Sequence, residues 1–348
     1  QVPALLINQH KIDSVDDAKA YIARLNAVPE LFRQLQQLLT QSAEAGIIVP
    51  KFVFPHLYSA SENLLQGAPF SEQDDSTLLA DFSAKVAALP LSEQEQKLLL
   101  DEARVALITS VGPAYRSLIS FLQQLEQQAG TDDGVWRFPE GAAFYQNRLA
   151  RMTTTDYSAE QVHQLGLEQV ARIHGEMRQI MQQVGFAGDL VEFFVFMREA
   201  PQFYYPDNAE GRAAYLAEAT AVIDDMRTRL DELFLVKPKA EMIVKAVEPF
   251  REQSAGKAFY QRPSMDGSRP GVYYANLYRM SDMPKYQLEA LAYHEGIPGH
   301  HMQLAIAQEL EGIPKFRRFG GATAYIEGWG LYSELLPKEI GLYQDPYS

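Results

Sequence analysis

The chain has 348 residues and a formal net charge of −14, with 47% apolar and 22% charged residues: globular proportions, long enough for one large domain or two lobes around a substantial core. Its acidic balance and lack of any basic run argue against binding nucleic acid or an anionic membrane surface. The absence of cysteine excludes disulfides, thiol nucleophiles and cysteine-zinc sites, and no apolar run reads as long enough to span a bilayer, so no transmembrane segment is expected.

The opening Gln1-Val2-Pro3-Ala4-Leu5 has neither an initiator Met nor a charged segment leading into an apolar one. The chain is therefore expected to begin after a processing site or inside a longer protein. Ser14-Val15-Asp16-Asp17 heads a helix with Ala18, Tyr21, Ile22 and Leu25 on one face, a pattern that Phe32, Leu35, Leu38 and Leu39 extend beyond Pro29. Gln73-Asp74-Asp75-Ser76 reads as a solvated turn. Ser92-Glu93-Gln94-Glu95 is a capping box before Leu98, Leu99, Ala103 and Leu107, with an interruption near Gly112-Pro113. Ser158-Ala159-Glu160-Gln161 is a second box, heading a helix with Val162, Leu165, Ile173, Met177 and Ile180 inside, and a further helix runs from about Glu210 to Leu235. Residues 1–236 thus read as a helical lobe.

Residues 237–348 read differently. Met242-Ile243-Val244, Ala258-Phe259-Tyr260 and Val272-Tyr273-Tyr274 are short β-favouring runs separated by turn material, and they predict a small antiparallel meander just before the metal-binding helix. An edge strand there would receive an extended peptide by main-chain pairing; the plainer reading is a sheet that covers the core.

Of seven histidines, three fall between His294 and His301, in Tyr293-His294-Glu295-Gly296-Ile297-Pro298-Gly299-His300-His301, and Glu327 follows in Tyr325-Ile326-Glu327-Gly328-Trp329-Gly330. A zinc hydrolase needs two neutral imidazoles and a carboxylate on the ion, an open position for water, and a second carboxylate to take that water's proton. The usual spacing is H-E-x-x-H on one helix. Here the fourth position after His294 is Pro298, which has no N–H for the helix ladder. In an undisturbed helix His300 would sit roughly 120° from His294, and His301 would share its face but lie about 10 Å further along. Either needs a bulge, which Pro298-Gly299 would permit. Deleting two inserted residues leaves H-E-x-G-H, which favours His300 as ligand and His301 as neighbour. Glu334, about two turns after Glu327, is placed to orient a ligand imidazole or to stand solvated. Gly328 and Gly330 read as close-packing positions, since a helical glycine costs about 1 kcal/mol and needs a reason.

The string HEGIPGHHMQ followed by YIEGWGLYSE resembles the bacterial family catalogued as domain of unknown function 885, itself similar to the gluzincin zinc peptidases. LLINQHKIDS and FYQNRLARMTTTDYSAEQVHQLGLEQV agree with it, so the likeness spans nearly the whole chain. The resemblance implies a mainly α, helical zinc-peptidase architecture binding Zn2+ through His294, His300 and Glu327, with Glu295 as general base. It further implies an exported or lipid-anchored location and a chain that is part of a longer catalytic domain.

The activity expected is metal-assisted hydrolysis of a peptide substrate, by a carboxypeptidase or oligopeptidase. Tyr273, Tyr274 and Tyr325 are candidates for the donor that a developing oxyanion needs. A peptide-binding protein with a degenerate metal site is the non-enzymatic alternative. A serine hydrolase lacks its Gly-x-Ser-x-Gly elbow, and a di-iron bundle would need more than the single Glu160-Gln161-Val162-His163.

Overall fold

The computed structural model describes residues 2–72 and 74–348; Gln1 and the Gln73 of the expected turn lie outside the described residues. The chain divides into two compact units, Gln1–Arg137 and Phe138–Ser348.

The first unit is built from α1 (Val2–Asn8), α2 (Val15–Glu44), α3 (Phe54–Asn63), α4 (Thr77–Ala87), α5 (Glu93–Ala106) and α6 (Gly112–Glu126). Ser14 caps α2 by accepting the Asp17 N–H at 3.2 Å, with Asp16 and Asp17 set against the positive end of the helix. Tyr21, Ile22, Leu25, Val28 and Phe32 are buried, but Leu38 is 60% exposed, so the apolar face expected beyond Pro29 points partly outward. The box at the head of α5 is present: Ser92 accepts the Glu95 N–H at 3.3 Å and returns its own N–H to Glu95 Oε2 at 2.9 Å.

The interruption expected at Gly112-Pro113 does not end the helix. Leu107–Val111 form a π turn, and α6 continues from it. The wider turn lets the ladder pass a proline that offers no N–H. The resulting run, Glu93–Glu126, is longer and more apolar than the sequence reading allowed and passes for a bilayer span by length and composition alone, while the expectation of no transmembrane segment stands. Its Leu99, Leu107, Val111, Leu118 and Leu122 lie in the first unit's core beside Tyr21, Leu79 and Phe82, the placement of a core helix in a folded unit.

The second unit holds α7 (Gly141–Thr153), α8 (Ala159–Gln183), α9 (Leu190–Glu199), α10 (Ala209–Arg229), β1 (Met242–Ala246), β2 (Ala258–Gln261), β3 (Gly271–Ala275), α11 (Leu288–Glu295), α12 (His300–Glu309), α13 (Lys315–Phe319) and α14 (Thr323–Glu339). The Ser158–Gln161 box caps α8; an Asp189–Glu192 box that the sequence reading passed over caps α9. Ile223 and Met226 of α10 share a core with Met242, Tyr273, Ala292 and Tyr293. The units therefore part after Arg137, not at the boundary expected near residue 236.

The three strands lie where expected, but they are not an antiparallel meander. The order is β1-β3-β2, with β1 parallel and β2 antiparallel to β3. All five residues of β3 are buried. Its Tyr273 packs into the helical core, while Val272 and Tyr274 join Val247 in a small cluster on the other face. A strand covered on both faces can satisfy its backbone groups only with a partner on each edge, which puts β3 in the middle.

Candidate metal centre

The metal motif sits on two helices, not on one bulged helix. α11 ends at Glu295 and α12 begins at His300, with a cis peptide between Ile297 and Pro298. A Cβ at Gly299 would overlap the carbonyl oxygens of Tyr293 and His294, so only glycine allows the chain to turn back against the end of α11. Trp329 Nε1 donates to Pro298 O at 2.8 Å and the His301 N–H to Gly296 O at 3.0 Å, tying the break to α14 and to itself. The two imidazoles that an unbroken helix would splay now face each other, ring centroids 4.6 Å apart at 83°.

α14 supplies the carboxylate. Glu327 Oε2 lies 3.8 Å from His294 Nε2 and 3.7 Å from His300 Nε2, and one donor atom from each residue fits within 4.8 Å of the others. Gly330 is what lets this helix approach: a Cβ there would stand 2.6 Å from His294 Cε1 and 2.7 Å from Nε2. Gly328 faces open space, so of the two glycines only Gly330 is a close-packing position. Glu334 accepts from His294 Nδ1 at 2.8 Å, because an ionised carboxylate only accepts, and this leaves the Nε2 lone pair toward the cluster. Tyr343 in turn donates to the Glu334 carbonyl at 2.7 Å.

The local charges follow from these contacts. The hydrogen bond to Glu334 raises the pKa of His294 despite its burial. Burial lowers that of His300, and the neighbouring His294 lowers it further. Glu295 is 6% exposed; burial first, then Glu327 and Glu334, push its carboxyl up to about 7 against the opposing pull of His294. Its Oε2 is buried without a hydrogen-bond partner, which is expected of a carboxylate whose partner is a bound group and costly otherwise. Two imidazole nitrogens and one carboxylate oxygen, with one position left over, form the donor set of a catalytic zinc site. The residues therefore fit the ion.

His301 stands apart from the cluster. Its Nδ1 pairs with Tyr260 Oη at 2.8 Å and its Nε2 with Ala240 O at 3.0 Å, and burial lowers its pKa to about 4. Gly271 makes the first of these possible, since a Cβ there would lie 2.5 Å from Tyr260 Oη and 2.6 Å from His301 Nδ1. Tyr260 was legible only as a strand residue, because nothing in its own neighbourhood points to a partner 41 positions away.

The three tyrosines proposed as oxyanion donors are not brought together. Tyr273 is fully buried, and burial first, then the neighbouring Tyr215 hydroxyl and Glu295, raise its pKa well above the usual value, so its Oη faces Tyr215 and not open solvent. Tyr274 points to the other face of β3, where it stacks on Phe259 at 4.9 Å beneath the Arg251 guanidinium. Tyr325 is 64% exposed and, two residues before Glu327, lies about 200° around α14 from it.

A search of curated proteins finds no match. Among solved structures, the chain is similar to the crystal structure of the "putative lipoprotein" from Colwellia psychrerythraea, at 30% identity and a TM-score of 0.93. The match covers 99% of this chain and 59% of that one, so the chain spans little more than half the length of that neighbour. The family model described as "Bacterial protein of unknown function (DUF885)" matches residues 1–348, and the chain belongs to that family.

Proposed function

We propose that this protein is a zinc-dependent peptidase, with His294, His300 and Glu327 holding the ion and Glu295 acting as general base. The observation that carries the reading is the convergence of three donor atoms within 4.8 Å beside a buried carboxylate with an unpaired oxygen. When bound, zinc supplies Lewis-acid polarisation of the scissile carbonyl and acidifies a water molecule. Glu295 takes the proton of the attacking water and delivers it to the leaving amine nitrogen, so one carboxyl group serves both halves of the reaction. Burial that raises its pKa to about 7 matches this double duty, because an acid near the working pH both accepts and returns a proton readily. Glu334 orients His294, and Trp329 holds the break that lets His300 face it. The gluzincin-like architecture belongs to this reading, as does a site outside the cytoplasm, supported by the neighbour's description as a lipoprotein.

The test is Glu295→Gln in the full-length protein. Peptide-library hydrolysis is expected to fall by at least about 100-fold, the scale of general-base catalysis, with one zinc per chain retained. Loss of zinc in this variant would make Glu295 a ligand, and undiminished turnover would remove it from the reaction. Zinc-loaded wild-type protein that binds peptides without cleaving them would favour the binding-protein alternative.

A further inference from the structure

We infer that the second unit carries a binding site for an amphipathic carboxylate, lined by none of the metal-cluster residues. Two cavities of about 640 and 450 Å³ share Arg198, Tyr286 and Gln287 as a common wall. Sites of this size hold small organic ligands.

The larger cavity is polar, and its charges do not cancel. Arg198, Lys257 and Arg279 line it, with Glu252 and Asp282 as the carboxylates. Asp282 pairs with Arg279 at 2.7 Å. Burial raises the pKa of Glu252 against the opposing pull of Arg212. Lys257 donates only to a neutral acceptor, Gln287 Oε1 at 2.6 Å, and burial lowers its pKa despite the pull of Asp282. Arg198 has no ion pair among the described residues. Two cations without a bonded counter-charge therefore face one cavity, in a chain whose net charge is −14. Both residues are exposed, so an entering anion meets two cations that no bonded carboxylate already holds.

The smaller cavity is apolar, lined by Met177, Ile180, Phe193, Phe194, Met197 and Tyr347. Flexible methionines beside aromatic rings suit an apolar body of variable shape. Because Arg198 borders both cavities, a head group held by Arg198 and Lys257 directs its tail past Tyr286 into the apolar half. A single carboxylate matches the guanidinium fork and the ammonium, and its one negative charge is repelled less by Glu252 and Asp282 than the two of a phosphate dianion. The chemistry is thus a monocarboxylate on an apolar body, from either a medium-chain fatty acid or a peptide ending in an apolar residue.

The experiment is calorimetric titration of the full-length protein, zinc-loaded and chelated, with decanoate and with acetyl-Ala-Phe, each against its neutral amide. One of the two carboxylates should bind saturably at one site per chain, in both metal states, and at least ten-fold more tightly than its amide. Decanoate binding assigns the site to acyl acids, and acetyl-Ala-Phe binding to peptide termini. The double variant Arg198→Gln, Lys257→Gln should reduce that binding at least ten-fold at an unchanged melting temperature. No saturable binding of either carboxylate, or amides that bind equally well, would overturn the inference. The amide comparison uses wild-type protein and stands even where the variant misfolds. Survival of binding in chelated protein separates this site from the fate of the zinc reading.

Discussion

In the first unit the chain passes Gly112-Pro113 without leaving the helix, whereas in the second it leaves the helix altogether at Gly296-Ile297-Pro298-Gly299. The proline is common to both. What differs is how close other backbone comes. A Cβ at Gly112 would meet side-chain atoms of Arg116 and Phe70 at 3.2 Å, tight contacts that a small shift of either side chain relieves, with the nearest backbone, Leu107 O, at 3.4 Å, while Leu107 and Val111 stay in the core. A Cβ at Gly299 would overlap two carbonyl oxygens at the end of α11, and a Cβ at Gly296 would stand 2.6 Å from Ala292 O. Proline disturbs the ladder in each case; the two glycines of the second interruption, pinned by Trp329, turn a disturbance into a change of direction. Only the redirected chain brings two imidazoles to one point.

The sharpest way to break this contrast is to place the same methyl group in both interruptions. Gly299→Ala should cost about 3 kcal/mol or more and abolish zinc binding, because fixed backbone cannot yield to the added atom. Gly112→Ala should change stability by no more than about 1 kcal/mol, alanine's helix preference offsetting a small shift of Arg116 and Phe70. Urea denaturation with metal analysis reads both; equal effects would show that the break is no more tightly packed than the π turn.

A second pair asks whether α14 depends on the same close approach. Gly330→Ala drives a Cβ against the His294 ring and should cost about 1–3 kcal/mol together with most of the zinc affinity. Gly328→Ala meets open space and should stabilise the helix by up to about 1 kcal/mol with zinc unchanged. If Gly328→Ala proved the more damaging, that face of α14 would be covered in the protein. A more local effect is expected at the start of α12, where Tyr260→Phe removes the partner of His301 Nδ1. A loss of about 1–2 kcal/mol with full zinc content is the expected outcome, from one buried hydrogen bond. Falling zinc content would mean that the Tyr260 clasp on His301 also sets the position of His300.

Local chemistry was legible in the sequence, and orientation was not. The cap at Ser14, the boxes at Ser92 and Ser158 and the three β runs each depend on residues within a few positions of one another, so they could be read along the chain. The pairing of β1 with β3 could not, because the same apolar runs serve a meander or a mixed sheet equally well until the faces of β3 find cover. The bilayer-length helix shows the same limit from the other side: Glu93–Glu126 is apolar on the faces that the first unit buries, and the burial is a property of its neighbours.

At the candidate site the division is finer. The sequence by itself named His294, Glu295, His300, Glu327 and Glu334, because metal chemistry restricts the residue types and Pro298-Gly299 announces that the helix cannot run on. Tertiary structure decided that the interruption is a break and that Tyr260 and Ala240 engage both nitrogens of His301 while His300 faces His294. It also decided that Gly330, not Gly328, brings α14 onto the imidazole, and that Tyr274 turns away to the other face of β3. The physical reason is common to all of these. Residue type fixes which bonds a side chain can make, but the partner and direction are set by segments tens of residues away, through steric contacts of a few ångströms that no local pattern encodes.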